Sequence, residues 1–285
     1  MCYLPEKDEW KRLADGLTER SQGSKMMSYR DELYVFPPSA KAERYDPVFN
    51  GWSTLDLQLS GTPRSAEVAV VRGEIYSIEV NTRTKKCTIK RYNIERCSWE
   101  TVLSSHEGCR EESCVVAAGN HLYVCGGRIN RDYVTKAERF DIVGNKWEEI
   151  ANLQEKRVGS FGVATEGKIF LAGGRQPGRL CEPAFYVKTC EMYNPSTNEW
   201  QFIGSSKVSR AYGSMVCLKG TLYVLGGTSD WFHLGVECYD PTRDKWIVKT
   251  TIPVEMISKD SKNTFTAWVL KLSKGVLDKL DVVKK

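Results

Sequence analysis

Tryptophan recurs along this chain of 285 residues at intervals of 42 to 53 residues. The positions in the series are Trp10, Trp52, Trp99, Trp147, Trp200 and Trp246. Self-similarity at such a spacing indicates a repeat architecture, in which each unit covers its apolar faces with its neighbours. The length alone would allow two average domains or one ring of repeats, and the repeat favours the ring.

Each repeat contains four short segments with the pattern of β-strands, which we name A to D in chain order. A Glu-x-aromatic-Asp/Asn phrase precedes the tryptophan at 42–47, 137–142, 190–195 and 236–241, with a weaker copy at 90–94. Further upstream, runs such as HLYVCGG, KIFLAGG and TLYVLGG alternate in polarity and end in a glycine pair. Alternation at period two predicts strands, and a four-stranded unit of this size is typical of a propeller blade.

These residues resemble the kelch repeat, whose hallmarks are a hydrophobic run, a double glycine and then a spaced tyrosine and tryptophan. The resemblance covers essentially the whole chain, and three repeats carry the full pattern. Two repeats depart from it, because Pro37-Pro38 and Glu79-Val80 stand where the glycine pair belongs. The resemblance implies an all-β fold, a kelch β-propeller, in one domain spanning 1–285.

The two ends of the chain decide the number of blades. The opening MCYLPEKDEW aligns without a gap on ECYDPTRDKW at 237–246, so the chain begins inside a blade. We expect a six-bladed propeller, its ring closed by N-terminal strands C and D together with C-terminal strands A and B. The alternative is five blades plus frayed ends. The expected blades are 1–10 with 247–285, 11–52, 53–99, 100–147, 148–200 and 201–246.

Composition excludes several classes of protein. The chain is 41% hydrophobic and 27% charged, and its apolar runs are too short for a membrane span or a secretory signal. A net charge of +5 without a dense basic stripe argues against nucleic-acid binding. Ten cysteines without a CxxC pair predict neither zinc nor disulfides, but free thiols in the cytoplasm or nucleus. No metal or cofactor is expected.

Catalytic motifs are missing from the sequence. It contains no GxSxG, HExxH or glycine-rich phosphate loop, and its histidines, His106, His121 and His233, are not spaced as metal ligands. We therefore expect no catalytic residues and a domain that is not an enzyme.

An arginine recurs 10 to 12 residues after the repeat tryptophan, between strand D of one blade and strand A of the next. The series is Arg20, Arg64, Arg110, Arg157 and Arg210. Equivalent positions in a closed propeller lie on one face around the central opening. Two interpretations remain open: the arginines bind neighbouring backbone carbonyls, or they form a cationic funnel for carboxylates and phosphates.

The B–C loops of the blades lie on the same face and vary most in length, as loops that carry binding residues do. They contain arginines and aromatic residues, the composition of interface hot spots. The candidate partner-binding residues there are Arg128, Arg131, Arg175, Arg179, Tyr186, Trp231, Phe232 and His233. Trp231 and Phe232 could instead fold back over their own blade.

The kelch resemblance implies recognition of a protein or peptide through the loop face. It also implies the substrate-receptor role of BTB-kelch adaptors for cullin-RING ubiquitin ligases, with the cullin bound through domains absent from this chain. The arginines predict an acidic or phosphorylated substrate. The alternative is an actin or cytoskeletal scaffold, and a remote alternative is a propeller enzyme with a small axial pocket.

Overall fold

The computed structural model describes residues 2–18, 24–37, 40–59, 66–81, 83–84, 86–107, 110–178, 182–229, 235–253 and 282–283. Every regular element in these ranges is a β-strand, as the alternating runs predict. Within the same ranges we find no helix with the length and apolar character that a membrane span requires.

Five antiparallel four-stranded sheets form the blades I to V. Blade I comprises β3 (Lys25–Tyr29), β4 (Glu32–Phe36), β5 (Glu43–Asp46) and β6 (Gly51–Thr54). Blade II comprises β7 (Ala66–Val71), β8 (Glu74–Asn81), β9 (Lys86–Asn93) and β10 (Ser98–Glu107). Blade III comprises β11 (Cys114–Ala118), β12 (His121–Cys125), β15 (Ala137–Asp141) and β16 (Lys146–Glu149).

Blade IV comprises β17 (Phe161–Thr165), β18 (Lys168–Ala172), β21 (Cys190–Asn194) and β22 (Glu199–Ile203). Blade V comprises β23 (Ser214–Leu218), β24 (Thr221–Leu225), β25 (Gly235–Asp240) and β26 (Lys245–Thr251). Two hairpins lie in B–C loops: β13 (Arg128–Ile129) with β14 (Asp132–Tyr133), and β19 (Arg175–Gln176) with β20 (Phe185–Tyr186). The kelch-type blades predicted from the repeats are therefore present.

The first strands of neighbouring blades contact one another in the order β3, β7, β11, β17 and β23, which makes them the inner strands of the ring. In blades I, II, IV and V the repeat tryptophan donates a hydrogen bond to the connection that precedes its blade. The indole Nε1 of Trp200 donates to the carbonyl of Ala151 at 2.8 Å, and that of Trp246 donates to Gly204 at 2.7 Å. One residue type thus supplies both apolar area and a hydrogen bond between units, which explains its regular recurrence.

A smaller sheet is formed by the chain ends, with β2 (Glu9–Lys11) between β1 (Cys2–Leu4) and β27 (Val282–Val283). Trp10 packs with Val236 and Ile252 of the fifth repeat, while Leu13 packs with Leu33 of blade I. This sheet therefore lies between blades V and I.

The expectation of six complete blades is wrong for the described residues, which form five complete blades as in the alternative count. The alignment of the two C–D hairpins was nevertheless informative, because β1 and β2 pair Tyr3 with Trp10 just as blade V pairs Tyr239 with Trp246. However, β27 pairs with β2, the strand D position, and not with β1. Strands A and B were expected at 264–272 and 276–283, and all of this segment except 282–283 lies outside the described ranges, so that mode of closure stays a prediction.

One cysteine departs from the expectation of free thiols. Cys87, in β9, is disulfide-bonded. The other cysteines of the described ranges are free; they are Cys2, Cys97, Cys114, Cys125, Cys190, Cys217 and Cys238. A pairing across a fold is set by which side chains meet in space, and sequence spacing does not reveal it.

Candidate functional site

Three arginines of the recurring series lie in the described ranges, and all three are buried. Arg110, Arg157 and Arg210 are 2%, 0% and 1% exposed. Each guanidinium meets a glutamate of strand C in its own blade: Arg110 with Glu138 at 2.5 Å, Arg157 with Glu191 at 2.9 Å and Arg210 with Glu237 at 2.5 Å.

The predicted cationic funnel is therefore corrected at these three positions. The guanidinium groups of Arg110, Arg157 and Arg210 also donate to the carbonyls of Gly126, Gly173 and Gly226, at 2.8, 2.8 and 3.2 Å. Buried charges are retained when they are paired and hydrogen-bonded, as here. Of the two open interpretations, the structure favours the one in which these side chains hold the repeat together.

The backbone of the same arginines joins one blade to the next. The carbonyl of Arg157 accepts a hydrogen bond from Gly127 at 2.6 Å, and that of Arg210 accepts one from Gly174 at 2.8 Å. A Cβ atom at Gly173 would lie 2.2 Å from the Arg210 carbonyl oxygen, and the residue has φ +61°. The glycine pair is thus required because the connection to the next blade passes directly over it.

The buried cluster around Glu138 stabilises the ionised form of its carboxyl group. Burial raises the pKa of its carboxyl, but hydrogen bonds from His106, Lys136 and Arg110 outweigh burial and lower the pKa to about 2. Lys136 Nζ lies 2.7 Å from the carboxylate, and the His106 ring stacks on Trp147 with centroids 4.3 Å apart.

The loop face carries the two B–C hairpins directly after the glycine pairs. Isolated bridges pair Arg128 with Glu111, and Arg175 with Val158, which places both hairpins against the entrances to the inner strands. Arg128 is already neutralised, because its Nη2 lies 2.9 Å from Glu111 and 3.2 Å from Glu112.

Arg131 and Arg175 are the arginines of this face that carry charge without a salt bridge among the described residues. Arg131 is exposed in the turn between β13 and β14. Arg175 is half-buried, with its guanidinium 5.7 Å from the ring centroid of Tyr186. Burial lowers the pKa of Arg175, but Tyr133, Tyr212 and Tyr186 outweigh it and the net shift is upward. Phe185 beside them is 45% exposed.

The remaining candidates lie outside the described residues and stay predictions: Arg20, Arg64, Arg179, Trp231, Phe232 and His233.

Sequence reasoning missed a relay that links blades III, IV and V at the same face. The carbonyl of Glu112 accepts from Gly159 at 2.8 Å, and the carbonyl of Gly159 accepts from Tyr212 at 2.7 Å. The Tyr212 hydroxyl donates a hydrogen bond to the Glu112 carboxylate. Burial and this hydrogen bond raise the pKa of Tyr212. A signal was available, because each of these residues stands two positions after a recurring arginine.

A cavity of about 520 Å³ lies at the outside of blade IV, beside Gln154 and Trp200. Within the ranges that the structure covers, no three His, Cys, Asp or Glu side chains are grouped so that they could hold a metal ion.

Comparisons with known proteins agree with this geometry. Residues 65–271 match the family model described as the KLHDC2/KLHL20/DRC7 Kelch-repeats domain. Kelch repeat and BTB domain-containing protein 12 of Danio rerio is 27% identical over 78% of this chain and 38% of its own length. Kelch-like protein 23 of Homo sapiens is 28% identical over 64% of this chain and 31% of its own length. Kelch-like protein 15 of Homo sapiens is 26% identical over 74% of this chain and 38% of its own length.

The match therefore spans less than two fifths of the length of these curated relatives. Among solved structures, one described as the structure of YjhT superposes with a TM-score of 0.67 at 15% identity, covering 83% of this chain and 86% of that one. That likeness shows the fold alone. With the family model matched over most of the repeats, the chain belongs to the kelch-repeat family and folds as a kelch β-propeller.

Proposed function

We propose that this chain is a non-catalytic protein-interaction domain that binds an acidic or phosphorylated segment of a partner protein at its loop face. One observation carries the proposal. Arg131 stands in the turn of one B–C hairpin, Arg175 stands on the other beside Tyr186, and neither arginine has a salt-bridge partner among the described residues. Guanidinium groups with adjacent aromatic rings are enriched in the energetic centres of interfaces.

The surrounding charges refine this proposal. Arg128 supports the hairpin through Glu111 and Glu112, and the buried arginines support the blades. Neither group is free to meet a partner without breaking an internal ion pair. The affinity for an acidic segment is therefore assigned to Arg131 and Arg175, with the aromatic side chains supplying apolar contact.

Selection from a random peptide-display library tests the proposal without knowledge of the partner. The immobilised domain is expected to enrich peptides containing Asp, Glu or phosphorylated residues. The paired variant Arg131→Glu with Arg175→Gln is expected to lose this enrichment at an unchanged melting temperature.

The matched control makes the same two changes on the opposite face, in the C–D turns: Arg243→Glu with Arg96→Gln. These side chains are 80% and 77% exposed. The control variant should select the same peptides as the unaltered domain. Equal selection by the loop-face variant would refute the assignment.

We further propose that the domain is the substrate-recognition part of a longer adaptor for a cullin-RING ubiquitin ligase and has no ligase activity itself. Support comes from the length of the relatives and from the BTB domain in the name of one of them. The full-length protein should co-precipitate a cullin while this chain alone should not. A full-length protein that fails to bind any cullin would contradict the adaptor role.

A further inference from the structure

The side chain of Tyr212 connects Arg175 of the loop face to a buried acid. Its ring lies across Gly159, where an added Cβ atom would meet a ring carbon at 2.4 Å. From there its hydroxyl donates to the carboxylate of Glu112, which is 7% exposed. Burial and this hydrogen bond raise the pKa of Tyr212, and a hydrogen bond from Arg175 partly offsets the rise. A hydroxyl has one proton to donate, so Tyr212 accepts from Arg175 and donates to Glu112.

Arg175 is held in place but keeps donor capacity. Its backbone exchanges two hydrogen bonds with Val158, at 3.1 and 2.8 Å, beside the glycine that the Tyr212 ring crosses. Its guanidinium lies by the ring of Tyr186, the residue opposite it in the β19–β20 hairpin. Its Nε atom is buried and has no hydrogen-bond partner in the part of the chain that the structure describes. Arg175 can therefore donate to an anionic ligand without leaving its position.

The charges linked to Arg175 cancel. Glu112 also pairs with Arg128 at 3.2 Å, and Arg128 pairs with Glu111 at 2.9 Å. Among the described residues, the network that runs from Arg175 through Tyr212 thus contains two guanidinium groups and two carboxylates. An anion with one charge meets one guanidinium that lacks a salt bridge, that of Arg175. A second charge on the anion finds no further unmatched cation in this network, and Glu112 repels it from one hydroxyl away.

Arg131 does not change this balance. It is exposed in the turn of the β13–β14 hairpin, next to Asp132, which is exposed as well. The adjacent carboxylate and screening by salt weaken its attraction for a second charge. A phosphorylated residue carries a charge of about −1.5 to −2 at pH 7, whereas an ionised aspartate or glutamate carries a single charge. The charges on the loop face therefore suit a carboxylate.

We propose that the loop face selects aspartate or glutamate over a phosphorylated residue of the partner, and that Glu112 sets this selectivity. The partner's carboxylate binds the guanidinium of Arg175. Glu112 does not touch the partner; it acts through its charge and through its hydrogen bond with Tyr212. This inference rests on the proposed function and narrows it to one chemical class of anion.

The substitution Glu112→Gln tests the role of the charge. Glutamine keeps the shape of the side chain and can still accept from the Tyr212 hydroxyl. The probes are two glycine-serine peptides that differ at one central position, which is aspartate in one and phosphoserine in the other. Their affinities are measured by NMR titration of the β19–β20 hairpin amides. Loss of one nearby negative charge acts about twice as strongly on a dianion, so we expect about threefold tighter binding of the aspartate peptide and about tenfold of the phosphoserine peptide.

Glu95→Gln is the matched control. It removes an exposed carboxylate from the C–D turn of blade II, on the face opposite the loop face. Neither affinity should change in this variant, because a charge so far from the loop face is screened.

The unaltered chain offers a second test that needs no substitution. Phosphoserine loses its second charge as the pH falls through about 6, whereas aspartate stays ionised down to about pH 4. Lowering the pH from about 7.5 to about 5 should therefore raise the affinity of the phosphoserine peptide about threefold relative to that of the aspartate peptide. The aspartate peptide, measured in parallel, corrects for titration of the protein's own groups.

The outcomes separate this inference from the function on which it rests. At pH 7.5, the unaltered chain should bind the aspartate peptide more tightly than the phosphoserine peptide. Tighter binding of the phosphoserine peptide, or an equal response of the two peptides to Glu112→Gln, would overturn the selectivity and leave the proposed function intact. Failure of both peptides to bind at millimolar concentration would contradict the proposed function and this inference with it.

Discussion

Replacing Arg157 with methionine tests whether the recurring arginines are structural. The Arg157 side chain is fully buried and donates to Glu191, to the carbonyl of Gly173 and twice to Thr189, at 2.8 to 2.9 Å. Methionine keeps most of the volume but leaves the Glu191 carboxylate, itself 0% exposed, without its cation. Breaking a buried pair in this way costs about 3–5 kcal/mol. The expected fall in melting temperature is about 8–16 °C.

A double-mutant cycle isolates the ion pair. Glu191 also accepts a hydrogen bond from the Gln154 amide at 2.8 Å, which a glutamine side chain can still accept. Adding Glu191→Gln to Arg157→Met should therefore recover about 1–3 kcal/mol relative to the sum of the single changes. Urea unfolding followed by tryptophan fluorescence measures each free energy. The exposed Arg131→Met should change stability by less than about 0.5 kcal/mol. A loss below about 1 kcal/mol for Arg157→Met, or no coupling to Glu191, would refute the reasoning.

Three further predictions concern the repeats. Gly173→Ala should destabilise the chain by about 2–4 kcal/mol, and Gly167→Ala by about 1 kcal/mol. Both glycines have positive φ, but only a Cβ atom at position 173 would meet a backbone atom within 4 Å. The midpoints of urea unfolding compare the two variants. The pKa of the Glu138 carboxyl is about 2 in the folded chain against an ordinary value of 4.5, so the stability that its charge contributes is complete above about pH 4.5 and is lost as the pH falls towards 2. Thermal melts of the unaltered chain and of Glu138→Gln should therefore differ less as the pH falls over that interval. A difference in stability that does not change with pH would contradict this prediction. Trp200→Phe should lower the free energy of unfolding by about 1 kcal/mol more than Trp147→Phe. The indole of Trp200 donates to a backbone carbonyl, whereas that of Trp147 has no hydrogen-bond partner among the described residues. Equal losses measured by calorimetry would exclude the Trp200 hydrogen bond as a stabilising contact.

Local patterns predicted the blades because a blade is a local object. Alternation at period two, the glycine pair and the aromatic-to-tryptophan spacing each act within one repeat of the chain. The C–D hairpin at the N-terminus followed from its likeness to residues 237–246, and both hairpins pair tyrosine with tryptophan. The count of complete blades did not follow, because it depends on which strands the two chain ends find as neighbours.

The position of a charge was beyond local patterns. Arginine in a connection between strands ordinarily lies at the surface. Arg157 is buried because Glu191, 34 residues later in the chain, reaches the same point from strand C. The glutamate motif and the recurring arginine were both visible in the sequence, but nothing in their spacing showed that they meet.

The sequence by itself determined an all-β chain of kelch repeats, since hydrophobic period and turn residues act over a few positions. Only the tertiary structure decided which arginines remain available to a partner, that Cys87 is disulfide-bonded, and how blades III to V are linked at the loop face. Those features depend on contacts between residues far apart in the chain, and burial and pairing are set by those contacts, not by residue type.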